Sequence, residues 1–159
     1  MAFYVVIRGP LGVGKTTVAQ RLAREIGAGY ISIDRILEER GLWDSGALAE
    51  FLRANDFAVE QARSLLADGT SVVLDGNFYW KSQINDLVAR LDRRHFVFTL
   101  RAPLSVCVER DARRSPPHGR EAAREVYAKS TRFEYGVGID ATRGVGTVVG
   151  DIVARLPRD

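Results

Sequence analysis

Residues 9–17 read Gly-Pro-Leu-Gly-Val-Gly-Lys-Thr-Thr, with Gly9, Gly14, Lys15 and Thr16 at the spacing G-x-x-x-x-G-K-[ST]. The chemistry open to such a stretch is the capture of a polyphosphate. A loop that closes around phosphate oxygens must turn several backbone N–H groups inward, which calls for residues without a Cβ at its tightest points. Gly9, Leu11, Gly12, Val13 and Gly14 supply that backbone, and Thr17 stands at its end. Lys15 adds a mobile point charge for the β and γ oxygens, and the Thr16 hydroxyl is a ligand type suited to Mg2+. A helix starting here aims its free N–H groups and positive dipole end at the same anion.

Further polar residues follow apolar, β-rich runs. Asp34 comes after Gly29-Tyr30-Ile31-Ser32-Ile33. Phosphoryl transfer to a hydroxyl needs a carboxylate to orient that hydroxyl and take its proton, and Asp34 has the chemistry for it. The competing reading has Asp34 capping the next helix, with Ser32 sharing that work. Arg35 is a clamp for an acidic substrate or a solvated residue at a helix start. Asp75 closes Val72-Val73-Leu74, the pattern of a carboxylate that holds Mg2+ through water, though any parallel strand can end in Asp before a Gly turn. Asn77 either contacts substrate or stabilises that turn. Arg110, Arg113, Arg114 and Arg120 bracket Ser115-Pro116-Pro117-His118-Gly119, which cannot continue a helix. Guanidinium groups on a closing loop stabilise charge on a transferring phosphoryl group, so a lid is expected around residues 113–120, with at least one of these arginines on the nucleotide. Neither His95 nor His118 has an evident partner, and both read as ordinary.

The elements that must position these groups alternate. Strands are expected at Phe3–Ile7, Gly29–Ile33, Ser71–Asp75, His95–Leu100 and, weakly, Gly136–Asp140. Helices are expected from Thr17 to Ile26 and over Asp34–Arg40. Another should open at Ser45, with a break or new cap at Asn55-Asp56, and continue to Gly69. Others start near Lys81 and at Pro103, and the last two cover Glu121–Phe133 and Thr147–Leu156. Such alternation means right-handed crossovers and a parallel sheet covered on both faces. Ligands of such sheets bind beyond the carboxyl ends of the strands. The phosphate loop, Asp34, Asp75 to Asn77 and the stretch from Arg101 all follow strand ends, so they should meet on one edge.

Composition sets the bounds. The 159 residues are expected to form a single domain, with 46% hydrophobic and 27% charged residues, as is ordinary for a globular protein. The one cysteine, Cys107, excludes a disulfide within the chain and fits a reducing compartment. No basic region leads into a long apolar stretch at the start, and no run approaches a bilayer span, so a cytoplasmic protein without membrane contact is expected. The net charge is +3. A phosphate site alone accounts for it, and no basic run or aromatic-interleaved stripe favours nucleic acid. Of the 23 basic residues only Lys15, Lys81 and Lys129 are lysines, so the lysine at the loop stands out in an arginine-rich chain.

Together these pieces resemble the small P-loop kinases of the adenylate-kinase-like group. They are most similar to the branch with gluconate kinase, shikimate kinase, chloramphenicol phosphotransferase, zeta toxin and polynucleotide 5′-kinase. The resemblance covers GPLGVGKTT, ISIDR, VVLDGN, the stretch from LRAPLSVCVERDARR to Arg124 and Tyr127, and GIDAT. It implies a three-layer αβα fold with a five-stranded parallel sheet in order 2-3-1-4-5, and transfer of the ATP γ-phosphoryl group to a hydroxyl. On the matching positions it makes Asp34 the base, Thr16 and Asp75 the Mg2+ partners, and Arg110 and Arg114 the lid arginines, with Asp140-Ala141-Thr142 along the adenine edge. The chain departs from nucleoside monophosphate kinases after the third strand. Where they carry an arginine for the acceptor phosphate, it has Asn77-Phe78-Tyr79-Trp80.

The resulting expectation is a monomeric or dimeric enzyme using ATP and Mg2+ to phosphorylate a small hydroxyl compound. Phe78, Tyr79 and Trp80, with the helices of residues 35–68, should wall the acceptor site. The rival readings are a polynucleotide or nucleoside kinase, and an ATP-binding regulatory module that transfers nothing.

Overall fold

Strand β1 (Tyr4–Arg8) is buried at every position, as the central strand of a parallel sheet covered on both faces must be. In the computed structural model, which describes residues 1–158, it is followed by α1 (Lys15–Glu25), β2 (Gly29–Ser32), α2 (Ile33–Glu39), α3 (Leu48–Ala67) and β3 (Val72–Gly76). Then come α4 (Lys81–Leu91), β4 (His95–Arg101), α5 (Leu104–Ala112), α6 (Arg120–Ser130), β5 (Val137–Asp140) and α7 (Val145–Val153). The strands lie in the order β2-β3-β1-β4-β5, and all their pairings are parallel. Both the order and the αβα layering agree with the expectation.

Alternation along β1 feeds two cores. Tyr4 and Val6 pack with Leu37, Phe51, Ala58, Leu74, Ile84 and Leu87 under α2, α3 and α4. Val5 and Ile7 pack with Val18, Leu22, Phe98, Val148 and Ile152 under α1 and α7. The register sets Arg8 beside Gly76 on one neighbour and Thr99 on the other. The ends of the three central strands therefore open onto one crevice. No helix among the described residues is long and apolar enough to cross a membrane.

The second helical stretch before β3, expected over residues 45–69, differs from the sequence reading. It is one unbroken helix of 20 residues, and it starts at Leu48 rather than Ser45. Ser45 instead holds the approach to the helix, its N–H donating to Glu50 Oε1 at 2.8 Å. Asn55 and Asp56 do not break the helix because both find partners on α4. Asn55 is fully buried, and its Nδ2 donates to the Gln83 carbonyl and to Asp86 Oδ2, both at 3.0 Å. Asp56 accepts from Arg90 Nη1 at 2.7 Å. Tertiary pairing overrides the local preference of Asn and Asp for helix ends. Helix α6 ends at Ser130, three residues short of Phe133, and α7 spans Val145–Val153 rather than Thr147–Leu156.

Asn55→Ala should lower stability by about 1–3 kcal/mol by leaving buried polar groups unpartnered, read as a lower urea midpoint at unchanged m value. Asn55→Asp, which sets a second carboxylate beside Asp86, should lower it further.

Candidate active site

The phosphate loop joins β1 to α1 as a glycine-built turn. Gly12 and Gly14 have φ of +81° and +99°, backbone that side-chain-bearing residues rarely adopt. At Gly12 space forbids a side chain as well, since a Cβ would stand 2.2 Å from the Cys107 carbonyl oxygen of α5. The loop thus rests directly on α5. Arg110 of the same helix donates from Nη1 to the Val13 carbonyl at 3.0 Å. The Val13 N–H is taken by the Pro10 carbonyl at 3.2 Å, which leaves the loop's other N–H groups for an anion.

A cleft of about 530 Å3 lies over this loop, lined by residues 12–18, Arg110, Arg114 and, from the β5–α7 turn, Ala141, Arg143 and Gly144. Gly9 and Leu11 are not among its lining residues. Arg143 was not singled out from the sequence. It is held by Asp140 and Asp151, and an arginine just past GIDAT was the available signal. Thr16 and Thr17 are exposed at the cleft, while Lys15 is buried at 6% exposure.

Two carboxyl groups share the buried end of the crevice with Lys15. Asp75, in β3, is 2% exposed, and the Tyr30 hydroxyl of β2 donates to its Oδ2 at 2.6 Å. Burial pushes its pKa up, opposed by Lys15, the Tyr30 hydroxyl and the Thr16 hydroxyl. Asp34 lies in the first turn of α2, not at the end of β2 itself. It is not the cap, since the Ser32 hydroxyl accepts from the Arg35 N–H at 3.1 Å and does that work alone. Asp34 Oδ1 is shut from solvent with no hydrogen-bond partner. Burial raises the Asp34 pKa, with Lys15, the Asn77 backbone N–H and His118 opposing the rise. A carboxylate raised by desolvation and left with a free oxygen is suited to accept a proton.

Other residues fall out differently. Asn77 is 7% exposed, donates from Nδ2 to the Tyr79 hydroxyl at 3.0 Å, and keeps Oδ1 unpartnered. Arg35 is exposed, and Arg113 turns outward to Glu109. Phe78 is wholly buried in the core against Ile33 and Gly76, so it walls nothing. Tyr79 and Trp80 instead form an edge-to-face cluster with Phe51 and Trp43. His118 does have a partner, contrary to the sequence reading. The buried Asp111 carboxylate lies 3.0 Å from its Nδ1 and accepts the N–H groups of His118 and Gly119, folding the 113–119 loop back onto α5. His95 stacks on Tyr4 with ring centres 5.2 Å apart.

Because the fold raises the Asp34 pKa above its ordinary 3.8, the folded chain binds that proton more tightly than the unfolded one. The stability this brings is complete below 3.8 and lost as the pH climbs through the raised value. Asp34→Asn should therefore melt at a higher temperature than wild type at pH 7. The gap should close as the pH falls to 3.8.

Comparison with known proteins agrees with this geometry. The family model described as an AAA domain matches residues 5–134. A cytidylate kinase from Aeropyrum pernix is 32% identical over 149 residues, spanning 86% of this chain and 81% of its own. Among solved structures, a gluconokinase from Sinorhizobium meliloti superposes with a TM-score of 0.76 at 18% identity, covering 95% of this chain and 89% of that one. A sugar kinase from Janibacter gives 0.75 at 19% identity, with 97% and 94% covered. The latter two speak for the fold. With the phosphate loop, the sheet order and the family match all on one chain, it belongs to the AAA-domain family as a small P-loop kinase of the adenylate-kinase-like group.

Proposed function

We propose that the chain is an ATP-dependent kinase that transfers the γ-phosphoryl group to a hydroxyl of a small molecule. The observation that carries this reading is Asp34: a desolvated carboxylate with one oxygen unpartnered, within electrostatic reach of the phosphate-loop lysine. A triphosphate sits on the free N–H groups of the phosphate loop and the start of α1, with its β and γ oxygens toward Lys15. Arg110 and Arg114 line its cleft and balance charge on the transferring group, and the 113–120 segment closes as a lid. Asp34 orients the acceptor hydroxyl and takes its proton late, as a loose transition state requires. Asn77 and Arg35 contribute to the acceptor side.

The residues fit Mg2+. Thr16 offers a hydroxyl at the cleft, and Asp75, kept in place by Tyr30, offers a buried carboxylate beside it, a hard-oxygen set of the kind this ion takes. When bound, Mg2+ neutralises charge on the phosphates. Asp75 is thereby given a counter-charge beyond Lys15, and Tyr30 fixes which of its oxygens faces Thr16.

The cytidylate kinase relative supports a second reading, a nucleotide phosphate as acceptor. The two differ physically at Asp34. A phosphate oxygen arrives already ionised and needs no base, and a carboxylate beside it would repel it. The segment after β3 also offers Asn77-Phe78-Tyr79-Trp80 and no guanidinium to an incoming phosphate. Both facts favour the hydroxyl.

A transfer screen with γ-labelled ATP and Mg2+ across sugars, polyols, nucleosides, nucleoside monophosphates and 5′-hydroxyl oligonucleotides tests the reading. Label should pass to a hydroxyl acceptor, and Asp34→Asn should lose about 100- to 10,000-fold in turnover, the usual worth of a general base. ATP affinity should hold. Transfer that persists in Asp34→Asn, or label found only on monophosphates, would count against it.

A further inference from the structure

Arg8 ends β1, one residue before the phosphate loop, and its side chain is wholly buried. Alternation along the strand sends it with Tyr4 and Val6 to the α3 and α4 face, away from α1 and α7. There Nη1 donates to Thr99 Oγ1 at 3.1 Å, and Nη2 to the carbonyls of Phe78 at 3.3 Å and Ser130 at 2.7 Å. The guanidinium carbon lies 4.4 Å from the centre of the Phe133 ring. Every oxygen it bonds is neutral. Burial, with Arg101 nearby adding to it, brings its pKa down to about 10, so it keeps its charge at neutral pH. An apolar side chain would fill the same space without the desolvation cost. The charge is explained by what it holds.

It holds the backbone of two segments that flank the reaction. Phe78 has a φ of +49°, a left-handed conformation that a bulky residue keeps only when its surroundings impose it. Its carbonyl lies on Arg8. On one side stands Asn77, whose backbone N–H acts on the Asp34 carboxylate, and on the other Tyr79, whose hydroxyl meets the Asn77 amide. Ser130 is the last residue of α6, the helix into which the 113–119 loop runs. A free carbonyl at a helix C-terminus is a favourable seat for a cation. Thr99 extends the network, its hydroxyl donating to the Tyr135 carbonyl at 2.7 Å.

We propose that Arg8 is a positioning residue that couples the segment 77–80 and the end of α6 to the phosphate loop, so that nucleotide on the loop orders the acceptor side. The proposal rests on the kinase reading for its acceptor side. It predicts that the two sides respond together in the presence of Arg8 and separately without it.

Hydrogen exchange of the full chain tests this, with and without a non-hydrolysable ATP analogue and Mg2+, in wild type, Arg8→Lys and Arg8→Met. In wild type the analogue should slow exchange in residues 9–17 and 76–81 together. Arg8→Lys keeps the charge but loses the planar fork that spans separate carbonyls. There the analogue should still protect 9–17, while its effect on 76–81 shrinks by about tenfold, a typical strength of coupling between sites. Arg8→Met should show the same split. Equal slowing of 76–81 in the variants, no slowing there in wild type, or faster exchange spread evenly over the sheet regardless of analogue would each overturn the proposal. No protection of 9–17 in wild type would remove the nucleotide reading and this one with it. The readout needs no acceptor, so coupling seen in a chain that transfers label to nothing would sink the kinase reading alone.

Discussion

The burial of Lys15 with Asp34 and Asp75 is the constraint on which the rest of the structure depends. Lys15 and Asp75 give up most of their water at the sheet edge, half-buried Asp34 keeps one oxygen shut from solvent, and Lys15 opposes the rise that burial imposes on both carboxyl pKa values. Such a cluster persists only if the surroundings are rigid, since a small displacement would leave a desolvated charge alone. Most of the architecture around it serves that rigidity. Three adjacent parallel strands end side by side, Tyr30 ties down one oxygen of Asp75, and α5 braces the phosphate loop from below. The loop carries its glycines because it must turn its carbonyls outward against a neighbour only 2.2 Å from any added Cβ at Gly12.

The same edge divides the work between two sides. Toward α1 and the β5–α7 turn lies the arginine-lined cleft, open enough for a nucleotide. Toward α2 and the segment after β3 lie Asp34, Asn77 and the aromatic cluster. Lys15 and Arg8 stand at the boundary with opposite exposures to function. Lys15 is left for a phosphate, while Arg8 spends its Nη donors on the Thr99 hydroxyl and on the Phe78 and Ser130 carbonyls. A point charge suits the first position and a planar fork the second.

Much of this was legible in the sequence, for identifiable reasons. The phosphate loop announces itself by spacing because the need for a Cβ-free turn and a lysine allows few substitutes. Alternating strands and helices gave the parallel sheet, and the family resemblance gave its order. Asp34 and Asp75 stood out as carboxylates after apolar runs, and the fold brings both to one crevice. What escaped depended on distance in the chain. Asn55-Asp56 looks like a helix break until α4 supplies partners. His118 looks unpaired until the Pro-Pro loop folds it back to Asp111. Phe78 reads as a wall residue beside Tyr79 and Trp80, but its left-handed backbone turns its ring into the core. Arg8 was the hardest to foresee, because a charged residue at a strand end ordinarily marks where the strand meets solvent.

The central claim concerns the bond that is made, and 31P NMR of the reaction reads that bond directly. With ATP, Mg2+ and a pooled set of hydroxyl compounds and nucleotides, ADP should form in step with a new phosphomonoester resonance. A new phosphoanhydride resonance in its place, or inorganic phosphate alone, would contradict the account.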